Sequence, residues 1–151
     1  VKQREAKKIA YFWEIQDPGN SGTVIRTAEA LGFDAVIFSK NSVDVYSPKT
    51  VRATVGALWH IPVVENIDVE ELIEFASSEG FLTVAFAGDS AGSILDLEKS
   101  EKTILIFGNE ARGLPDIAGV SARVSIPMSG KSESLNVASA AAIAMFEVGI
   151  R

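Results

Sequence analysis

Ile9-Ala10-Tyr11-Phe12-Trp13-Glu14-Ile15, then Asp17-Pro18-Gly19-Asn20, then Ser21-Gly22-Thr23-Val24-Ile25-Arg26-Thr27-Ala28 decide the fold. An apolar run short enough for one strand meets a Pro-Gly turn, and the turn opens into a helical pattern. Asn20 or Ser21 is placed to cap that helix and Gly32 to end it. On a wheel of about 100° per residue, Val24, Ala28 and Leu31 fall together and face a sheet, so Arg26 projects away from it. A strand, a turn and a helix in that order, repeated, are the signature of an α/β domain.

The pattern does repeat. Ala35–Phe38, His60–Val64, Phe81–Phe86, Thr103–Phe107 and Ala122–Ile126 read as further strands. Ser47-Pro48-Lys49 opens a short helix before Gly56. Asp68 opens an acidic one whose buried stripe is Val69, Leu72, Ile73 and Ala76. Its exposed face, Glu65 to Glu79, is a solvated one. Asp89 to Lys102 is the most loop-like segment, with room for a short helix at Leu95–Lys99. A last helix starts near Ser134 or Leu135. The expected fold is one α/β domain, residues 9–151, with a mostly parallel sheet flanked by helices. Residues 1–8 form a basic tail or the remnant of a linker.

The last helix is apolar on nearly every side. Val137, Ala141, Ala144, Met145 and Val148 make one face, and Ala140, Ile143 and Phe146 another. A sheet covers only one side of a helix, so the second face predicts a partner chain and a homodimer.

Composition narrows the chemistry. The 151 residues suffice for one domain with a core of its own. No apolar run reaches the ~18–20 residues of a membrane span, and a chain without cysteine is compatible with the expected cytoplasmic location. The absence of cysteine removes disulfides, thiolate metal sites and a Cys nucleophile. A single histidine, His60, cannot build a multi-His metal site, so no metal is expected. His60 reads as a half-buried strand-edge residue, and Trp13 and Trp59 as core or interface residues. The net charge of −6 lacks the basic excess of a compact nucleic-acid binder, so any such role must rest on a local patch.

Three polar blocks follow strand-like runs. In the first, Arg26 beside a helix N-terminus forms an attractor for phosphate or a developing oxyanion. In the second, Gly108-Asn109-Glu110-Ala111-Arg112-Gly113, Gly108 permits close approach by a ligand and Gly113 a left-handed turn. Glu110 is placed to accept from a ribose or to pair with Arg112 or Arg26. The block is neither a phosphate-binding P-loop nor a dinucleotide fingerprint, which counts against a generic nucleotide-binding domain. The third runs from Ile126-Pro127-Met128 to Ser134-Leu135-Asn136-Val137. Pro127 confines it to a strand end. Capping explains Ser132 or Ser134 and leaves Asn136 unexplained.

In this order the blocks resemble the SpoU/TrmH family of the SPOUT, or α/β-knot, methyltransferases. The matching elements are Asn20-x-Gly22-x-x-x-Arg26, Gly108-x-Glu110-x-x-Gly113-Leu114, and Ile126-Pro127-Met128 with Ser134-Leu135-Asn136-Val137. The resemblance implies methyl transfer from S-adenosylmethionine to a ribose 2′-hydroxyl of rRNA or tRNA, and a C-terminal trefoil knot. It implies cofactor contacts from Gly108, Ile126, Met128, Ser134 and Leu135, largely through backbone groups. Arg26 matches the family's catalytic arginine, and Asn20, Glu110 and Asn136 match other catalytic positions. It also implies a dimer made through the first and last helices. A knotted domain that binds S-adenosylmethionine or RNA without turnover is the alternative.

Overall fold

The computed structural model describes residues 5–132 and 134–150. Its strands are β1 (Lys8–Phe12), β2 (Ala35–Phe38), β3 (Val63–Val64), β4 (Leu82–Phe86), β5 (Thr103–Phe107) and β6 (Ala122–Val124). Its α-helices are α1 (Pro18–Ala30), α2 (Pro48–Thr54), α3 (Val69–Glu79) and α4 (Val137–Gly149). Short 3-10 turns occupy Ala57–Trp59 and Ile94–Asp96. The second of these stands where a helix over Leu95–Lys99 was expected.

The six strands form one all-parallel sheet in the order β3-β2-β1-β5-β4-β6. Parallel strands are covered on both faces, so they read as unbroken apolar runs. Thr103–Phe107 is buried at all five positions. Side chains alternate between two cores. Ala10, Phe12, Val36, Phe38, Leu105 and Phe107 pack with residues of α1 and α4. Ile9, Tyr11, Ile37, Ile104 and Ile106 pack with Leu72 and Ala76 of α3.

β1 begins at Lys8, one residue before the expected domain start. The Lys7 and Lys8 amides donate to Asp34 Oδ2, and the Lys7 carbonyl accepts from Thr103, so this segment is tied to the sheet. Residues 1–4 lie outside the described residues. The run from Ile9 stops being strand after Phe12, because Glu14 turns to a φ of 48°.

α1 starts earlier than expected. Asp17, not Asn20 or Ser21, is the cap, and its carboxylate accepts from the Asn20 amide at 3.0 Å. Pro18 explains the shift, since its fixed φ and missing N–H suit the first helical position. Ser21 is then buried, its hydroxyl without a partner in the described structure. Gly22 touches α2 so closely that an added Cβ would lie 2.3 Å from the Ala53 Cβ. α2 ends on Val55, a β-branched residue at φ 50°, where such residues are strained.

The last helix begins at Val137, and its cap is Asn136, whose Oδ1 accepts from the Ala138 and Ser139 amides at 2.8 and 3.2 Å. Capping therefore accounts for Asn136, and not for Ser132 or Ser134. One face of α4 is buried through Ala141, Ala144, Met145 and Val148, while Ile143, Phe146 and Ile150 are exposed. His60 is exposed, follows a 3-10 turn and lies outside any strand, so it is not the half-buried strand-edge residue expected, and Trp59 is exposed and not part of the core. None of the described helices is long and apolar enough to cross a membrane.

Candidate cofactor and RNA site

Each of the four central strands ends in phenylalanine, and the four rings form a row. Phe38 lies 5.7 Å from Phe12, Phe12 lies 5.2 Å from Phe107, and Phe107 lies 4.7 Å from Phe86, all stacked. The register produces the row, because Phe12 is level with both Phe38 and Phe107. The sequence carried this signal in its repeated strand-final Phe, and the residue-by-residue reading missed it.

Over the Phe86–Phe107 end of the row lies a cavity of about 530 Å³. Gly108–Gly113 forms one wall. Ser125–Met128 and Ser132, Ser134 and Leu135 form another, and Val137 and Ala140 of α4 complete it. Every residue expected to hold the cofactor (Gly108, Ile126, Met128, Ser134, Leu135) lines this space, as does Glu110. Met128 and Leu135 stand partly exposed at its rim and give it apolar lining, as ligand clefts have.

The 108–113 wall is a closed loop. Asn109 and Gly113 exchange backbone hydrogen bonds of 3.1 and 2.9 Å. Asn109 Oδ1 accepts from the Ala111 and Arg112 amides, and its Nδ2 donates to the Glu14 carbonyl at 2.7 Å. Gly113 adopts the expected left-handed conformation, at φ 68°. Gly108 lines the cavity, and its missing side chain also has a use within the chain. A Cβ there would meet the Gly113 carbonyl carbon at 2.3 Å, so the space is filled by the chain's own backbone.

Glu110 pairs with neither arginine. Its Oε1 accepts from the Gln16 and Asp17 amides, both at 3.0 Å. A carboxylate here suits the positive end of α1. Arg112 instead donates to Glu14 Oε2 at 3.4 Å and stacks 5.3 Å from the Trp13 ring centroid. The amides of Gln16, which no motif marked, and of Asp17 are thus the link between the second block and the first.

The first and third blocks also meet. Asn136 Nδ2 donates to Asn20 Oδ1 at 3.3 Å. Neither Asn20, Asn136 nor Arg26 lines the cavity. Arg26 is exposed, as the wheel predicted, and it has no hydrogen bond or ion pair with another described residue. A second cavity of about 410 Å³ lies by Trp13 and α3 and carries Glu14, Asp68, Glu70 and Asp116 against Lys40. Among the described residues no cluster of His, Asp and Glu could hold a metal ion.

A parallel sheet with a ligand-sized cavity at its carboxyl edge, walled by two polar loops, defines an α/β ligand-binding protein. The chain belongs to the SpoU rRNA Methylase family, whose model matches residues 7–146. It is 35% identical over 149 residues to a 23S rRNA (guanosine(2553)-2′-O)-methyltransferase, RlmP, of Bacillus subtilis, covering 97% of this chain and 60% of that protein. It is 36% identical over 137 residues to a 23S rRNA (uridine(2479)-2′-O)-methyltransferase of Streptomyces viridochromogenes, covering 86% and 48%. The crystal structure of the SpoU methyltransferase AviRb from that organism, in complex with AdoMet, superposes with a TM-score of 0.89 at 30% identity, over 99% of this chain and 62% of that one. The chain thus spans about half to three-fifths of the length of these relatives.

Proposed function

We propose that residues 9–151 are the catalytic domain of an S-adenosylmethionine-dependent methyltransferase that acts on a ribose 2′-hydroxyl of rRNA or tRNA. One observation carries the reading. The five residues assigned to the cofactor converge on one cavity from two distant blocks. Apolar walls suit an adenine ring, and the turns of Gly108–Gly113 and Ser125–Met128 offer backbone donors and acceptors for its edge and for a ribose.

When bound, the cofactor supplies a sulfonium methyl group that needs little activation. The oxygen is the poor partner, since its proton must leave as the O–C bond forms and the C–S bond breaks. The site's task is in-line alignment and stabilisation of charge on that oxygen. Arg26 takes this role in the proposal, through contact with the 2′-oxygen and an adjacent phosphate. Glu110 and Asn136 are positioning groups that set the start of α1, and Asn20 presents a polar edge beside them.

Arg26 is absent from its own chain's cavity wall, and Ile143, Phe146 and Ile150 leave an apolar face on α4. Both features support a homodimer in which one chain's Arg26 serves its partner's cavity. A C-terminal knot belongs to the same reading, as does action without a metal and in the cytoplasm.

Calorimetry with S-adenosylmethionine and its demethylated product tests the cofactor. Transfer of labelled methyl to rRNA and tRNA, followed by alkaline digestion, tests the acceptor, because a 2′-O-methyl group blocks cleavage at its own nucleotide. No heat of binding at millimolar ligand would refute the cofactor assignment. Binding without transfer to any RNA would point to the non-catalytic domain.

A further inference from the structure

The chain's positive charges are unevenly committed. Lys7, Lys40, Lys102, Arg112 and Arg123 each face a carboxylate within 4.0 Å, and Lys8 donates to the Gly149 carbonyl. Among the described residues, Arg26, Lys49 and Arg52 have no such partner, and all three are exposed. They share one layer, made by α1 and α2. Among the described residues, the other cations without such a partner are Lys99 and Lys131, which lie outside both helices.

Two of the three stand one helical turn from the contact between the helices. The helices touch where Gly22 meets Ala53. Arg26 lies four residues beyond Gly22 and Lys49 four residues before Ala53, each about 40° round its helix toward solvent. Arg52 is on the outer side of α2. From Val45 to Val64 the sequence holds no Asp or Glu, although the whole chain carries −6. The flanking carboxylates are occupied: Asp44 accepts from the Tyr46 amide and Glu65 from the Val45 amide. Glu29 is the only acid on the exposed face of α1. Two large aromatic residues bracket α2 and are open to solvent, Tyr46 at 54% and Trp59 at 69%. Free cations interleaved with exposed rings fit a single-stranded nucleic acid, whose phosphates need charge and whose bases need flat apolar faces.

We propose that α2 and its flanking turns are the track on which the RNA strand lies on its way to Arg26, with Lys49 and Arg52 on its phosphates and Trp59 and Tyr46 against its bases. The proposal rests on the RNA reading above and adds the surface to it. It also resolves a conflict in the composition, because an acidic chain gains its RNA contact from one acid-free segment.

Fluorescence anisotropy with a short fluorescein-labelled single-stranded RNA reads the contact, at about 50 to 200 mM salt. The double variant Lys49→Glu/Arg52→Glu should bind at least about tenfold more weakly. Its log–log salt slope should shrink by about 1.4, the share of two single-strand phosphate contacts. Trp59→Ala should weaken binding by about tenfold with the slope kept. None of these residues lines the cavity, so the heat of binding S-adenosylhomocysteine should stay at the parental value in all of them. An unchanged affinity and slope in the double variant, with the parent binding, overturns the surface and leaves the RNA reading standing. A parent that binds cofactor and no RNA removes both. A change of sedimentation coefficient in the double variant makes this face an interface between copies of the chain and overturns the proposal.

Discussion

Asn136 Nδ2 donates to Asn20 Oδ1 across 3.3 Å, and so ties the first turn of α4 to the first turn of α1. The same side chain caps α4 through its other atom. With Glu110 holding the Gln16 and Asp17 amides, the start of α1 is fixed from two sides. The two functions of Asn136 can be separated by substitution.

Asn136→Ala removes the cap and should lower stability by about 1 kcal/mol, read as a shift in urea midpoint at constant slope. Asn136→Asp keeps an N-cap oxygen and loses the amide that reaches Asn20. It should unfold near the parental midpoint while methyl transfer falls. Equal loss of stability in both variants would show that the Asn20 contact, not the cap, is what matters to folding.

Arg26→Ala should leave the thermal midpoint nearly unmoved, within about 0.5 kcal/mol, because the side chain is exposed and unpartnered. Cofactor affinity should also hold. Methyl transfer should fall by about 10² or more, the scale of losing one group that stabilises a developing oxyanion. Transfer at the parental rate would remove Arg26 from the chemistry.

Gly108→Ala places a methyl carbon 2.3 Å from the Gly113 carbonyl carbon, and backbone cannot yield there as a side chain would. The 109–113 loop must open. The expected cost is about 1–3 kcal/mol, with cofactor binding lost even in conditions where the variant is folded. Calorimetric titration that matches the parent would mean the loop is not part of the cofactor wall.

Burial holds the Tyr11 phenol well above its ordinary value. Its hydroxyl donates to the Ile67 carbonyl at 2.8 Å. An unfolded chain releases this proton near pH 10 while the folded chain keeps it, so stability should decline as pH rises above about 10. Tyr11→Phe should remove that part of the alkaline decline and cost about 1 kcal/mol at neutral pH. An alkaline limb identical to the parent's would exclude Tyr11 as its source.

Much of this was legible from residues alone. Parallel strands buried on both sides announce themselves as runs such as Thr103–Phe107, and Gly32 and Gly113 took the left-handed conformations expected. Helix starts were harder. Asp17 and Asn20 are both good caps, and the deciding residue was Pro18 between them. Glu110 shows the limit more sharply. Its partners are main-chain amides about ninety residues away in sequence, and amides carry no residue identity for a reader to notice. Gly108 was marked as a place of close approach, but local spacing could not say that the Gly113 backbone would be one of its close neighbours.

The row Phe38–Phe12–Phe107–Phe86 joins four strands by ring-to-ring contact. Close-packed rings transmit displacement and do not absorb it. The two rings that floor the cavity, Phe86 and Phe107, are therefore backed by Phe12 and Phe38 in one continuous row. Any adjustment of the cavity's shape to a guest falls to the rim, Ser125 to Met128 and Ser134 to Leu135. Relatives that take the same cofactor would then be expected to keep those rim loops together with the aromatic row, and to differ for their acceptors elsewhere.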